Sequence, residues 1–208
     1  MKVSSSDGNI ALGGEIATAQ DAFNRRAERG RSAFDRPHRF VANGVWELPY
    51  SGRWMGRTLF GGWQVSGFLT LQSGAPFEVL NGADPGFRLT PIRASINTNL
   101  DLASMSIPEI LKAGGASLFR RVTEAEGLGN MGRNVLRSSG IKNVDFGLSK
   151  NTAIGENARL QFRAEFYNLT NTRNFGIPDN RVSSANFVNQ WGTDGGNRRI
   201  VLALRYVF

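Results

Sequence analysis

The side chains best placed for chemistry are charged residues that alternate along two segments near the end of the sequence. Arg159, Arg163 and Glu165 share one parity of the first segment, and Arg199 and Arg205 share one parity of the second. A row of guanidinium groups could line a path for an anionic solute. We favour a cross-strand salt-bridge ladder on the wall of a lumen, because Arg and Glu alternate on strands that should be neighbours.

Two other features could indicate a nucleotide site or a catalytic base. GLGNMG at 127–132 matches the G-x-G-x-x-G pattern, but it follows an acidic run that is not a strand and opens no helix, which favours a glycine-rich loop. His38 has no serine elbow or other catalytic partner, so we expect it simply at the end of a strand. The sequence therefore predicts neither an enzyme nor a cofactor.

Composition narrows the possible partners further. The 208 residues include no cysteine and one histidine, which excludes disulfides, thiolate metal sites and histidine-cluster metal sites. The net charge of +8 comes from 25 Lys and Arg residues against 17 Asp and Glu residues. These positive charges are dispersed rather than gathered in one block, so we expect no nucleic-acid partner. Lipopolysaccharide or an anionic solute is compatible with the charge.

Five segments alternate between apolar and polar residues with a period of two, which is typical of strands. They are 36–48, 61–73, 141–151, 158–167 and 198–208. A strand as long as the last segment, tilted near 45°, rises roughly 25 Å, which matches the apolar band of a transmembrane β-barrel. We therefore predict an all-β fold: about five strands of an antiparallel transmembrane β-barrel, with long irregular outer loops.

The connections between these strands alternate in length. They contain about twelve, more than about sixty, about five and about thirty residues. Outer-membrane barrels have short periplasmic turns and long outer loops. With the carboxy terminus in the periplasm, 36–73 and 141–167 become hairpins, and 1–35, 74–140 and 168–197 become outer loops.

One helix is expected within the longest connection. SIPEILKAGG begins with Ser106 as a cap, has Glu109 three residues later, and ends at Gly114. This spacing predicts a helix of one or two turns with a capping box.

Aromatic residues could mark the edges of a membrane. The candidates for an aromatic girdle are Trp46, Trp54, Trp63, Tyr167, Tyr206 and Phe208. Burial of some of these rings against loops is an equally good interpretation.

Several phrases carry a resemblance to a known family: FNRRAERGRSAFDRPHRFVANGVWELP, GGWQVSGFLTLQSGAPFEV, GNMGRNVLRSSGIKNVDFGLSKN, ARLQFRAEFYNLTNTRNFG and the terminal LALRYVF. Together they resemble the carboxy-terminal end of TonB-dependent outer-membrane receptors. The branch they resemble is the Oar-like one, whose members carry an amino-terminal carboxypeptidase-regulatory-like domain. The similarity extends from about residue 20 to residue 208.

That resemblance implies the outer membrane of a Gram-negative bacterium and a barrel of about 22 strands, plugged by an amino-terminal domain with the TonB-contacting box. It also implies uptake of a large solute with energy from the inner membrane. The sequence shows no signal peptide, plug or contact box, and only part of such a barrel. We therefore expect a fragment of a larger receptor, a truncated gene product, or a piece that closes with other strands.

The same resemblance implies a set of partners. They are the remaining barrel strands and plug of the parent receptor, the TonB complex acting through that plug, the outer-membrane assembly machinery, and lipid or lipopolysaccharide. A structural or adhesive surface module without transport is the alternative function.

The terminal strand has a second predicted role, as the signal that the assembly machinery recognises. Its residues are Ile200, Leu202, Leu204, Tyr206 and Phe208. The alternative is the edge strand of a soluble sandwich. We favour the assembly signal, because an exposed edge this apolar would aggregate in water.

Overall fold

The computed structural model describes residues 3–4, 19–50, 55–82, 92–190 and 196–208. The chain divides into two compact units, each built from segments that are distant in sequence. The first unit contains Met1–Pro37, Ser73–Gly140 and Phe175–Asp194, and the second contains His38–Gln72, Ile141–Asn174 and Gly195–Phe208. No helix in the described part of the chain is long and apolar enough to cross a bilayer.

The described elements are mostly strands. In chain order they are β1 (Val3–Ser4), β2 (Gly30–Arg31), β3 (Arg39–Glu47), α1 (Met55–Phe60), β4 (Trp63–Gln72), β5 (Pro76–Phe77), β6 (Ser95–Ile96), α2 (Ile107–Ala113), a 3-10 turn (Gly115–Leu118), β7 (Phe119–Arg120), β8 (Leu136–Arg137), β9 (Ile141–Ile154), β10 (Ala158–Tyr167) and β11 (Arg199–Val207).

The second unit is a five-stranded antiparallel sheet, which confirms the predicted fold class. Its strand order is β11-β10-β9-β4-β3. Each strand lies within or close to a predicted segment, and β9 extends to Ile154, past its predicted end at 151. The sheet is open, because β3 and β11 each pair with one neighbour among the described residues.

The first unit gathers the segments that the sequence predicted to be irregular outer loops. Its strands are short: β1 pairs with β2, β5 with β8, and β6 with β7. The unit has a hydrophobic core made of Phe77, Val79, Ala94, Leu102, Ile107, Ile110, Leu118, Phe119, Met131, Leu136, Phe187 and Val188. This core was not predicted from the sequence, because its members come from short apolar groups with no sustained period.

The predicted helix is present as α2, with the predicted residues at its ends. The backbone N–H and the hydroxyl of Ser106 both donate to the Glu109 carboxylate, at 2.7 and 2.6 Å. These hydrogen bonds from Ser106 hold the pKa of Glu109 below its usual value. Gly114 ends the helix with a φ of 133°, a left-handed value that favours glycine. The helix presents Ile107 and Ile110 to the core.

Four charged side chains are buried together in the first unit. Arg93 donates to both carboxylate oxygens of Glu28, at 2.9 and 2.8 Å, and its Nε donates to the carbonyl of Met131 at 2.9 Å. Arg133 lies 3.3 Å from Glu78 and 3.9 Å from Glu28. Two cations and two anions make the cluster neutral, and these side chains are only 2–3% exposed. Buried ion pairs therefore join the segment around Glu28 to the segments around Glu78, Arg93 and Arg133.

Substituting Glu28 by Gln is expected to destabilise the first unit by about 3–5 kcal/mol, because Arg93 would keep its buried charge without its main carboxylate partner. The measurement is urea unfolding of the detergent-solubilised protein, followed by pulse proteolysis of the first unit. The matched control is Glu126→Gln, since the ion pair of Glu126 with Arg120 is exposed on both sides. Equal midpoints for the two variants would contradict a structural role for the cluster.

Candidate functional site

The register of the large sheet assigns every strand residue to one of two faces. Gly44, Gly67, Phe146, Phe166 and Ile200 lie opposite one another in a single row across the five strands. Directly opposed residues point to the same side of a sheet, and the side alternates along each strand. This row therefore fixes the face of all the other strand residues.

The face that contains this row is apolar, and we call it the apolar face. It carries Phe40, Ala42, Trp46, Trp63, Val65, Leu69, Leu71, Val144, Leu148, Leu160, Phe162, Ala164, Leu202, Leu204 and Tyr206, with Lys142 and Lys150 towards its two ends. Large side chains on it are exposed, including Trp46 at 62%, Leu202 at 67% and Leu204 at 69%. An exposed apolar surface of this extent is unfavourable in water and indicates contact with a membrane or with another protein.

The assembly-signal residues continue along this face to the end of the chain. Ile200, Leu202, Leu204 and Tyr206 lie on β11, and the ring of Phe208 stacks on that of Tyr206 with centroids 5.7 Å apart. Phe208 itself is 93% exposed. Recognition of these residues by an assembly machinery stays a prediction.

The opposite face, which we call the polar face, is largely hydrophilic. It carries Arg39, Asn43, Glu47, Gln64, Ser66, Thr70, Gln72, Asn143, Asp145, Ser149, Asn151, Arg159, Gln161, Arg163, Glu165, Tyr167, Arg199 and Arg205. All five charged residues selected from the sequence are therefore on one face. Its larger apolar side chains are those of Val41, Val45, Phe68, Ile141, Val201 and Val207.

The contacts among these five residues differ from the predicted ladder. Among the described residues, their ion pair joins Arg163 to Glu165 at 2.6 Å along β10, not across strands. Glu165 also accepts a hydrogen bond from the Tyr167 hydroxyl at 2.9 Å, and the Arg199 guanidinium lies 4.6 Å from the centre of the Tyr167 ring.

The reason for the difference is the register. Val201 lies opposite Glu165 and Ala203 opposite Arg163, so β11 offers these charges no charged partner directly across. The cross-strand ladder was therefore wrong, and the cross-strand contact is the cation–π pair.

A depression of about 520 Å³ lies against the middle of the sheet. Its lining includes Asn43, Ser66, Asp145, Glu165 and Tyr167. The Asp145 carboxylate accepts a hydrogen bond from the backbone N–H of Asn168 at 2.8 Å. We call this depression the central groove. Its amide, hydroxyl and carboxylate groups can hydrogen-bond a polar solute or hold ordered water.

Most of the groove residues were not predicted from the sequence. Asn43, Ser66 and Asp145 share a parity with the polar side chains of their own strands, which was the available signal. What the sequence lacked was the register, because only the pairing of β3, β4 and β9 brings these residues side by side.

The remaining sequence candidates lie elsewhere. GLGNMG lies between β7 and β8, and a Cβ added at Gly129 would lie 1.9 Å from the carbonyl oxygen of Arg93, so this glycine serves close packing. His38 is exposed directly before β3. In the described ranges, no group of three or more His, Cys, Asp or Glu side chains could hold a metal ion.

The aromatic candidates divide between the two faces. Trp46, Trp63 and Tyr206 lie on the apolar face, where a girdle would be. Tyr167 lies on the polar face against Arg199, so its assignment to a girdle was wrong. Trp54 lies outside the described residues.

Comparison with known proteins agrees with this two-faced sheet. A family model described as "Outer membrane beta barrel domain" matches residues 2–201, which is nearly the whole chain. No curated protein and no solved structure matches the chain significantly. Members of this family are located in the outer membrane of Gram-negative bacteria. The chain belongs to the outer membrane beta barrel domain family.

Proposed function

We propose that this protein contributes barrel wall and solute-contacting outer segments to the TonB-dependent uptake of a large solute. The observation that carries the proposal is the polar face, which places five charged residues and the central groove on one side of the sheet. A lumen wide enough for a solute needs a hydrated wall of this kind, whereas a small barrel fills its interior with side chains. The resemblance to Oar-like TonB-dependent receptors supports the energy source.

The connectivity supports one orientation in the membrane. The strand ends at Arg39, Gln72, Ile141, Tyr167 and Arg199 all lead into the long segments, and the other ends of β3, β4, β9 and β10 lead into short connections. Outer-membrane barrels keep their short turns in the periplasm. We therefore assign the long segments to the outer side, where they would meet solute first.

The two open edges of the sheet imply that the barrel contains further strands. In hydrocarbon each unpaired backbone N–H or C=O costs several kcal/mol, because no water is present to replace the missing bond. The outward edges of β3 and β11 must therefore pair with further strands, which we take to be those of the parent receptor. A plug domain and the TonB complex would complete the transporter.

A structural or adhesive surface module is the second candidate function. The observation that favours it is the core of the first unit, because transport alone does not require long segments to fold around a buried core. Such a unit could present a rigid surface to a partner outside the cell.

Deleting 74–140 from the complete receptor separates the two functions. If the protein transports, cells that depend on the receptor for a nutrient should lose growth on it, as should cells without TonB. Adhesion to surfaces, measured in parallel, should be unchanged. Growth that survives both changes while adhesion is lost would overturn the transport proposal in favour of the surface module.

Opposite faces of one strand should respond differently to charge. Leu202→Arg places a cation on the apolar face and is expected to destabilise the membrane-inserted protein by about 2–4 kcal/mol. Its neighbour Val201→Arg places the same cation on the polar face, opposite Glu165, and should be tolerated. The measurement is the amount of each variant in purified outer membranes and its urea midpoint in detergent. Similar losses for both variants would contradict the assignment of faces.

The last residue tests the assembly signal. Phe208→Asp in the complete receptor should strongly lower its amount in the outer membrane, because the terminal aromatic would no longer be available for recognition. Val207→Asp, one residue earlier and on the opposite parity, is the matched control. Quantitative blotting of outer-membrane fractions gives the result, and wild-type levels of Phe208→Asp would refute the role.

A further inference from the structure

The connection between β3 and β4 has an apolar surface of its own. It spans 48–62 and contains α1, where Leu59 and Phe60 are 63% and 62% exposed. The rings of Tyr50 and Phe60 meet at a centroid distance of 6.0 Å. Gly56 leaves room for this contact, since a Cβ there would lie 2.0 Å from the Tyr50 hydroxyl oxygen. The exposed rings therefore form one patch and are not scattered.

Side chains of the apolar face hold the end of α1. Trp63 and Lys150 lie opposite each other on that face, and the Lys150 ammonium lies 4.7 Å from the centre of the Trp63 ring. Trp63 Nε1 donates to the carbonyl of Leu59 at 3.0 Å, and Lys150 Nζ donates to the carbonyls of Leu59 and Gly61 at 2.6 and 3.2 Å. These carbonyls lie at the negative end of α1, where a cation is favourable.

This arrangement joins the patch to the surface that meets lipid. Trp63 and Lys150 belong to the apolar face, so α1 is bound to the lipid side of the sheet and not to the polar side. A lysine on a lipid-facing strand is costly in hydrocarbon and is tolerated at the headgroup level, where Trp is also favoured. Trp63 and Lys150 therefore place α1 at the depth of the membrane–water interface.

The charges of the connection fit a phospholipid surface. The sequence from 48 to 62 contains Arg53 and Arg57 and no acidic residue. Basic residues beside exposed apolar ones are typical of segments that lie in the headgroup layer. The second short connection, at 155–157, has neither property: it is a tight turn that contains the acidic Glu156 and no large apolar side chain.

We propose that the described parts of this connection, 48–50 and 55–62, form an interfacial anchor that lies in the headgroup layer of the inner leaflet, with Leu59 and Phe60 inserted among the lipids. Lys150 and Trp63 fix α1 in this position. The anchor rests on the orientation proposed above, with the short connections in the periplasm, but not on transport, so its failure would leave the uptake proposal standing.

The absence of cysteine from the sequence makes a clean test possible. Single variants Leu59→Cys, Phe60→Cys and the control Glu156→Cys are made in the complete receptor, with any cysteine outside these 208 residues replaced by Ser. Each is labelled with a nitroxide and reconstituted in vesicles of phosphatidylethanolamine and phosphatidylglycerol. Collision rates with oxygen and with a water-soluble nickel chelate are then measured. We expect the oxygen-to-nickel ratio to be several-fold higher at positions 59 and 60 than at 156.

Two results would overturn the anchor. A ratio at positions 59 and 60 equal to that at 156 would show that the segment lies in water. Low collision rates with both reagents would show that protein covers it. Two labelled positions keep the test decisive if one variant fails to fold.

The role of Lys150 is tested separately in the Phe60→Cys background. Lys150→Gln should shift the label at position 60 towards the nickel chelate, because α1 loses the cation that holds its last carbonyls. Lys142→Gln, a lysine on the same face near the opposite end of β9, is the matched control. An unchanged ratio in the Lys150 variant would remove this residue from the proposal.

Discussion

The hydrogen-bonding demand of a backbone in hydrocarbon is the constraint on which the large sheet depends. Within β4, β9 and β10 the requirement is met by neighbours on both sides, whereas β3 and β11 meet it on one side. An isolated five-stranded sheet in a bilayer would leave two rows of unpaired groups. Closure with further strands is therefore a physical requirement of the fold, whichever polypeptide supplies them.

The same sheet separates two solvents. Its apolar face suits lipid and its polar face suits water, so a shift of one residue in any register would expose charged side chains to hydrocarbon. Phe146 and Phe166, in neighbouring strands, pack with ring centroids 6.0 Å apart on the apolar face. On the polar face, the Arg163–Glu165–Tyr167 row organises the charges along one strand. The central groove lies beside this row, with Glu165 and Tyr167 in its lining.

The first unit is organised in the way that is typical of domains folded in water. Its core is apolar, its helix is capped, and its buried charges are matched in number and sign. Buried ion pairs add little net stability compared with apolar packing, but they penalise any arrangement that separates the partners. Glu28 and Arg93 are far apart in sequence, so their contact selects one way of assembling the long segments.

Much of the sheet was predictable from the sequence, because period-two alternation is a local property. Leu160, Phe162 and Phe166 show their face without knowledge of any partner strand, and Ser106 and Glu109 show the start of α2 in the same way. The contacts between strands were not predictable, because register depends on pairing. For example, Ala203 lies opposite Arg163, and the spacing of residues along the sequence does not indicate this pairing. The core around Phe77 and the pairing of Glu28 with Arg93 also required the tertiary structure, since they join short segments separated by tens of residues. The sequence by itself determined which residues of each strand share a face, because alternation is local; only the folded chain decided which charges meet, because register depends on the partner strand.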